Sequence, residues 1–246
     1  MTMMRSVQRI LAVFEVFTAE RNSLTLQEIA DGIDLAKSTT FRLVQSLEKA
    51  GYLVRLPDQQ YCLSFQFTRL AGLVKSTLGI REIARPVMTE LAEKTQESVS
   101  IHTVSGRNRV CIDSLSTASS LRSVVQPGEQ VPLLLGSATK VLIAHMPQKE
   151  LTPIVASIAR ASKRTQKDIQ ADLALVREQG YAVSHGERLL GVSAISVPIR
   201  DVNHEVLYCL SVGGPSVRMQ MHEKEFINLA IDAAADISRQ FGANLP

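Results

Sequence analysis

Apolar residues recur at intervals of three and four along much of this 246-residue chain, and short strand-like runs separate those series. Val7, Ile10, Leu11, Phe14 and Phe17 form the first series, with Ser6 where an N-cap would stand, which predicts an opening helix. In Thr25-Leu26-Gln27-Glu28 a hydroxyl and a carboxylate are spaced to satisfy each other's backbone amides at a helix start. Leu26, Ile29 and Ala30 supply that helix's apolar face, and Gly32 is expected to end it in the left-handed conformation. A second helix is expected from about Ala36 or Lys37 to Lys49, closed by Gly51. Its Thr40, Leu43, Val44 and Leu47 turn inward, which leaves Lys37, Ser38, Thr39, Arg42, Gln45, Ser46 and Lys49 outside. Tyr52–Leu56 and Tyr61–Leu63 then read as two strands joined through Pro57-Asp58-Gln59-Gln60, a hairpin. Two short helices followed by a hairpin is the plan of a winged helix-turn-helix, which lays its second helix in the major groove of DNA.

The pattern continues as a helical stretch over Ser64–Leu78, with Phe67, Leu70, Ala71 and Val74 on one side, and a boundary at Leu78-Gly79-Ile80. Beyond it, a helix is predicted over Arg81–Lys94 and strands over Val99–Ser105, Arg109–Leu115 and Leu121–Gln126. Helices follow at roughly Ser137–His145, Lys149–Ile158 and Thr165–Gln179, then strands at Val192–Ile199 and Val206–Val212, then a final helix over His222–Phe241. That order predicts one antiparallel sheet with helices packed on it, an α+β domain of the kind that senses small molecules. The expected division is a DNA-binding domain over 1–63, a linker helix over 64–80 and a sensor domain over 81–246.

Charge refines the picture locally. The net charge of +3 is too small to argue for nucleic acid, and Met1–Ile80 has nine Lys or Arg against seven Asp or Glu, leaving +2. Within Ala36–Arg55, however, Lys37, Arg42, Lys49 and Arg55 oppose Glu48 alone. The basic signal is a patch on the second helix and the hairpin, where a reading head needs it. Cations suit phosphate oxygens, and short hydroxyl and amide side chains suit base edges. Lys37, Ser38, Thr39, Arg42, Gln45 and Lys49 on the helix, with Arg55 and Gln59 near the hairpin tip, are therefore the candidate DNA-contacting residues. Arg42 could meet a guanine bidentately or clamp a phosphate.

Other chemistry finds little support. Cys62, Cys111 and Cys209 are odd in number and far apart, which predicts buried inert thiols with no disulfide framework or zinc site. The five histidines have no metal-ligand spacing, although His102, mid-strand, could face a pocket. Arg122 could meet an acidic ligand or a structural partner. Ser137-Ala138-Thr139-Lys140 matches a Ser-x-x-Lys signature without its partner motifs, so Ser137 reads as a helix cap, alone or with neighbouring amides free to bind a carboxylate. No catalytic residues, metal ligands or cofactors are expected. The longest apolar runs fall short of a membrane span and no basic-then-apolar leader follows Met1, so a cytoplasmic protein is expected.

Over nearly its whole length the chain resembles the IclR family of bacterial transcriptional regulators. The resemblance lies in SVQRILAVFE, LTLQEIA and AKSTTFRLVQSLEKAGYL, then in REIARPVMTELAEKT, PLLLGSATKVLIA, REQGYAVSHGERLLGVSAISVPI and LYCLSVGGPSVRM, in that order. It implies a winged helix-turn-helix joined by a helix to a GAF-like effector-binding domain. It also implies a homodimer or dimer-of-dimers tetramer on a palindromic DNA operator, controlling catabolic genes in response to a small organic acid. The positions matching the family's effector cavity are Ser120, Ser123, Val131, Ser137, Ala138, Ser184, Val192, Ala194, Ser211 and Gly213. The competing reading is an enzyme of small-molecule metabolism with a helical accessory module.

Overall fold

The computed structural model describes residues 4–18, 20–70, 79–117, 119, 121–162 and 164–244. The chain divides into two compact units, Met1–Leu78 and Gly79–Pro246.

In the first unit, helix α1 (Arg5–Glu15), strand β1 (Ser23–Leu24), helix α2 (Leu26–Gly32), helix α3 (Lys37–Lys49) and strands β2 (Leu53–Arg55) and β3 (Tyr61–Leu63) follow in order. The strands form an antiparallel sheet in the order β1-β3-β2. The capping box at Thr25 is formed: the Glu28 amide donates to Thr25 Oγ1 at 3.3 Å, and the Thr25 amide donates to Glu28 Oε2 at 2.8 Å. Val13, Leu24, Ile29, Val44, Leu47, Leu53 and Tyr61 make a buried core. Phe14, Tyr52 and Phe67 pack edge-on beside it, with ring centroids 5.0 and 5.7 Å apart for the Phe14–Phe67 and Tyr52–Phe67 pairs.

Two local expectations are corrected. Ser6 lies inside α1, whose N-cap is Met4 without a side-chain cap. Gly32 is not left-handed; the positive φ falls on Asp34, at 51°. A Cβ on Gly32 would sit 2.7 Å from Val16 Cγ1, so the glycine is there for close approach of α2 to the end of the first helix. Gly51, with φ +81°, does close the second helix as expected. A further helical turn begins at residues 66–70, while the expected connecting helix at 71–78 lies outside the described residues.

The second unit comprises α4 (Ile80–Thr95), β4 (Ser98–Ser105), β5 (Asn108–Leu115), β6 (Gln130–Pro132), α5 (Ser137–Ala144), α6 (Gln148–Ser162), α7 (Gln166–Gln179), β7 (Ala182–His185), β8 (Val192–Arg200), β9 (Val206–Pro215), α8 (Ser216–Met221) and α9 (Glu223–Gln240). Its strands form one antiparallel sheet in the order β6-β5-β4-β9-β8-β7. The two-residue period of a strand sorts the chemistry to opposite faces. Val99, Ile101, Ile195, Val197, Leu210 and Val212 join α4 and α9 in one apolar core. The alternate positions on the same strands carry Ser98, Ser100, His102, Ala194, Ser196 and Ser211. A second apolar core, built from α5, α6 and α7, includes Ala182 and Cys209.

Leu121–Gln126 is not a strand. The chain turns at Pro127-Gly128, where the Gly128 amide donates to Cys111 O at 2.8 Å, and it pairs with β5 only afterwards, as β6. Strand β7 and the short α8 were not expected. Both are brief and flanked by glycine or proline, too short for periodicity to register.

Candidate functional site

On α3 the buried positions are Thr40, Val44 and Leu47, so the opposite surface is set by the helical repeat. Thr40 Oγ1 turns back to donate to Ala36 O at 3.3 Å, which spends its hydroxyl within the helix. Lys37, Ser38, Arg42, Gln45 and Lys49 are exposed and Thr39 is half-buried. Among the described residues no carboxylate pairs with Lys37, Arg42 or Lys49, so their charges stay available. Phe41 lies on the same surface, three residues after Ser38, and is 41% exposed. Periodicity misses it because an aromatic beside a core position reads as core. In the hairpin, Arg55 Nη2 donates to Gln59 Oε1, and the guanidinium lies 5.8 Å from the Tyr61 ring centroid. The two expected hairpin residues thus form one ordered group.

The second unit encloses a cavity of about 60 Å³ between the polar face of the sheet, the start of α5 and the loop that joins β7 to β8. Ser123, Ser137, Ala138, Ser184, Val192, Ala194, Ser211 and Gly213 all line it. Val131 does not: it stands on the short edge strand β6, in register opposite Arg109. Ser120 lies outside the described residues. Arg122 is spent elsewhere, its Nη1 donating to Ser119 O at 3.0 Å.

Hydroxyls on the cavity floor satisfy one another. Ser137 Oγ lies 2.8 Å from Ser196 Oγ, which lies 2.7 Å from Ser211 Oγ. Ser137 is therefore a relay member rather than a cap; the N-cap of α5 is Gly136. The anion position at that helix start is filled from within, since the Gly136 amide donates to Glu187 Oε2 at 3.1 Å and Lys140 Nζ pairs with the same carboxylate. The next residue, Arg188, donates to Glu129 Oε1 at 3.1 Å. Two consecutive loop residues thus tie the β7–β8 loop down at separate points.

The remaining lining includes groups that sequence patterns did not single out as a set: His102, Arg109, Ser114 and Arg188. Ser100 Oγ and His102 Nε2 are 2.9 Å apart, while His102 Nδ1 has no partner. Burial, together with the nearby Arg109 and Arg188 charges, holds the His102 imidazole well below its ordinary pKa, so it is neutral. Arg109 is 7% exposed, and its Nε has no hydrogen-bond partner. Burial lowers its pKa too, but from so high a value that the guanidinium keeps its charge. Cys111 and Cys209 are pushed up to about 11 and about 12 by burial, which makes both thiols inert at neutral pH. Among the described residues no His, Cys, Asp and Glu cluster could hold a metal ion.

Residues 6–57 match the model of the IclR helix-turn-helix domain, and residues 73–239 match that of the bacterial transcriptional regulator IclR C-terminal domain. The chain belongs to the IclR family. It is similar to the HTH-type transcriptional regulator KipR of Bacillus subtilis, at 26% identity over 97% of both chains. In fold it resembles a crystallised IclR transcriptional regulator from Silicibacter sp. TM1040, with a TM-score of 0.88, 23% identity and coverage of 99% of this chain and 98% of that one. It also resembles an IclR homologue from Microbacterium hydrocarbonoxydans crystallised with 4-hydroxybenzoate, with a TM-score of 0.60, 20% identity and coverage of 96% and 98%. As a member of the IclR family the chain is a DNA-binding transcriptional regulator, with its helix-turn-helix in the first unit and an antiparallel α+β domain in the second.

Proposed function

We propose that this regulator reads a palindromic operator as a homodimer or dimer-of-dimers tetramer and controls catabolic genes in the cytoplasm. On this reading residues 1–63 form the DNA-binding domain, 64–80 the linker helix, and 81–246 the domain that binds effector and assembles the oligomer. Lys37, Arg42, Lys49 and Arg55 supply phosphate contacts, and affinity with them. Ser38, Thr39, Arg42 and Gln45 read base edges, and Gln59 reaches the flanking backbone or minor groove. The observation that carries the DNA half is the division of α3, with Thr40, Val44 and Leu47 buried and Lys37, Arg42 and Lys49 on the other side, unpaired with any carboxylate among the described residues. No described helix is long and apolar enough to cross a membrane.

The effector in this reading is a small organic acid held in the cavity lined by Ser123, Ser137, Ala138, Ser184, Val192, Ala194, Ser211 and Gly213; Ser120, outside the described residues, is a further proposed contact. Support comes from the charge there: Arg109 and Arg188 face the cavity, and Glu129, paired with Arg188, offsets one of them. The Microbacterium homologue's complex with 4-hydroxybenzoate agrees with an acidic effector. The ligand acts by preferring one arrangement of paired reading heads, since equal affinity for both would shift nothing. Electrophoretic shifts of DNA upstream of the regulator's own gene, with and without candidate acids, test this. An acid that changes the operator affinity supports it, and retention of the DNA unshifted at low salt contradicts it.

A further inference from the structure

Arg109 is an anomaly for a folded chain. A guanidinium in a residue only 7% exposed, with its Nε unpartnered, carries a desolvation cost that no hydrogen-bonded carboxylate among the described residues repays. Glu129 is the acid that could relieve it, but Glu129 Oε1 is taken by Arg188 at 3.1 Å and its Oε2 accepts from the Gln126 amide at 3.2 Å. Among the described residues the cavity's charged lining therefore sums to one cation without a paired carboxylate. Beside it stand two neutral groups with unmet hydrogen-bonding capacity, His102 Nδ1 and Ser114 Oγ. The volume of about 60 Å³ suits a small polar ligand.

We propose that Arg109 is the carboxylate anchor of this cavity, and that His102 and Ser114 receive a second, uncharged oxygen of the same molecule. The ligand class is a compact monocarboxylate with a hydroxyl or carbonyl oxygen near the acid. A guanidinium fork matches a carboxylate bidentately, so one ligand satisfies the charge and the geometry together. A second carboxylate would find Arg188 already engaged. The inference rests on the effector reading above and names its chemistry.

The test uses the full-length protein and Arg109→Met, with Arg109→Gln as a second variant. Melting temperatures are recorded alone and with glycolate, lactate, lactamide, succinate and 4-hydroxybenzoate, and wild-type operator binding is measured without any acid. The expected results are that glycolate or lactate raises the wild-type melting temperature and lactamide does not. Arg109→Met should melt no lower than wild type in the absence of acid, because a buried unpaired charge is gone, and both variants should need at least tenfold more acid for the same shift. The anchor is overturned if wild type responds to neither hydroxy acid or responds equally to lactamide. It is also overturned if only succinate or 4-hydroxybenzoate works, or if both variants melt lower yet keep the acid response. Failure of the regulator reading looks different: wild type would shift no operator DNA while the acid response, and with it the anchor, stands.

Discussion

Single side chains carry most of the chemistry, and His102 shows how burial sets it. Its pKa lies well below the ordinary imidazole value because it is buried, with Arg109 and Arg188 adding repulsion. In the unfolded chain the same group titrates near the ordinary value of about 6.5. Below that pH the unfolded state binds a proton that the folded state refuses, so stability is full above about 6.5 and falls as the pH falls. His145 is also depressed, chiefly by burial, and adds to the same slope. Denaturant unfolding at pH 7.5 and 5.5 should show wild type losing up to about 1.4 kcal/mol per pH unit below about 6.5 from His102. His102→Gln should show a shallower loss, and an unchanged slope would contradict the assignment. Lys37 makes a second case at this scale. If it contacts phosphate, Lys37→Ala should weaken binding to all DNA sequences alike and reduce the salt slope by about one; an effect confined to one sequence would mean base contact instead.

Elements were legible in proportion to their length and to the local chemistry of their ends. The capping box at Thr25 could be read because Thr25 and Glu28 interact across three residues, and α3 because its apolar repeat runs through Thr40, Val44 and Leu47. Thr25→Ala should cost about 1 kcal/mol and lower the melting temperature of the DNA-binding unit, measurable by circular dichroism. Elements fixed by distant partners were not legible. Gly32 looked like a helix stop, and its reason is Val16. The sheet edge went to Gln130–Pro132 because the turn at Gly128 bonds to Cys111, a contact that no periodicity records. Gly214 on β9 is another such position: a Cβ there would lie 2.2 Å from Glu97 Oε2. Glu97 is 1% exposed and held by Arg218 at 2.6 and 2.9 Å, so it has nowhere to retreat. Gly214→Ala should destabilise the second unit by about 1–3 kcal/mol in denaturant titrations, and a neutral result would show that Glu97 can move.

At the scale of the whole molecule the family was readable because its motifs recur in order across both units, and the models of the family's two domains match where those motifs lie. The cavity was readable only in part. Small residues such as Ser137, Ala194 and Gly213 lie inside matched motifs, whereas Arg109 and His102 reach the same space from β5 and β4 by the alternation of strand faces and a bulge between Ile101 and His102. The chain's net charge of +3 likewise conceals the reading head, whose cations are local to α3 and the hairpin. That locality is the account's central claim, and salt titration of operator binding by wild type and Arg42→Ala tests it most directly. The predicted result is a linear fall of log affinity with log salt for both proteins, with the variant about 5- to 150-fold weaker at a fixed salt concentration. Equal affinity of the two, or binding insensitive to salt, would contradict it.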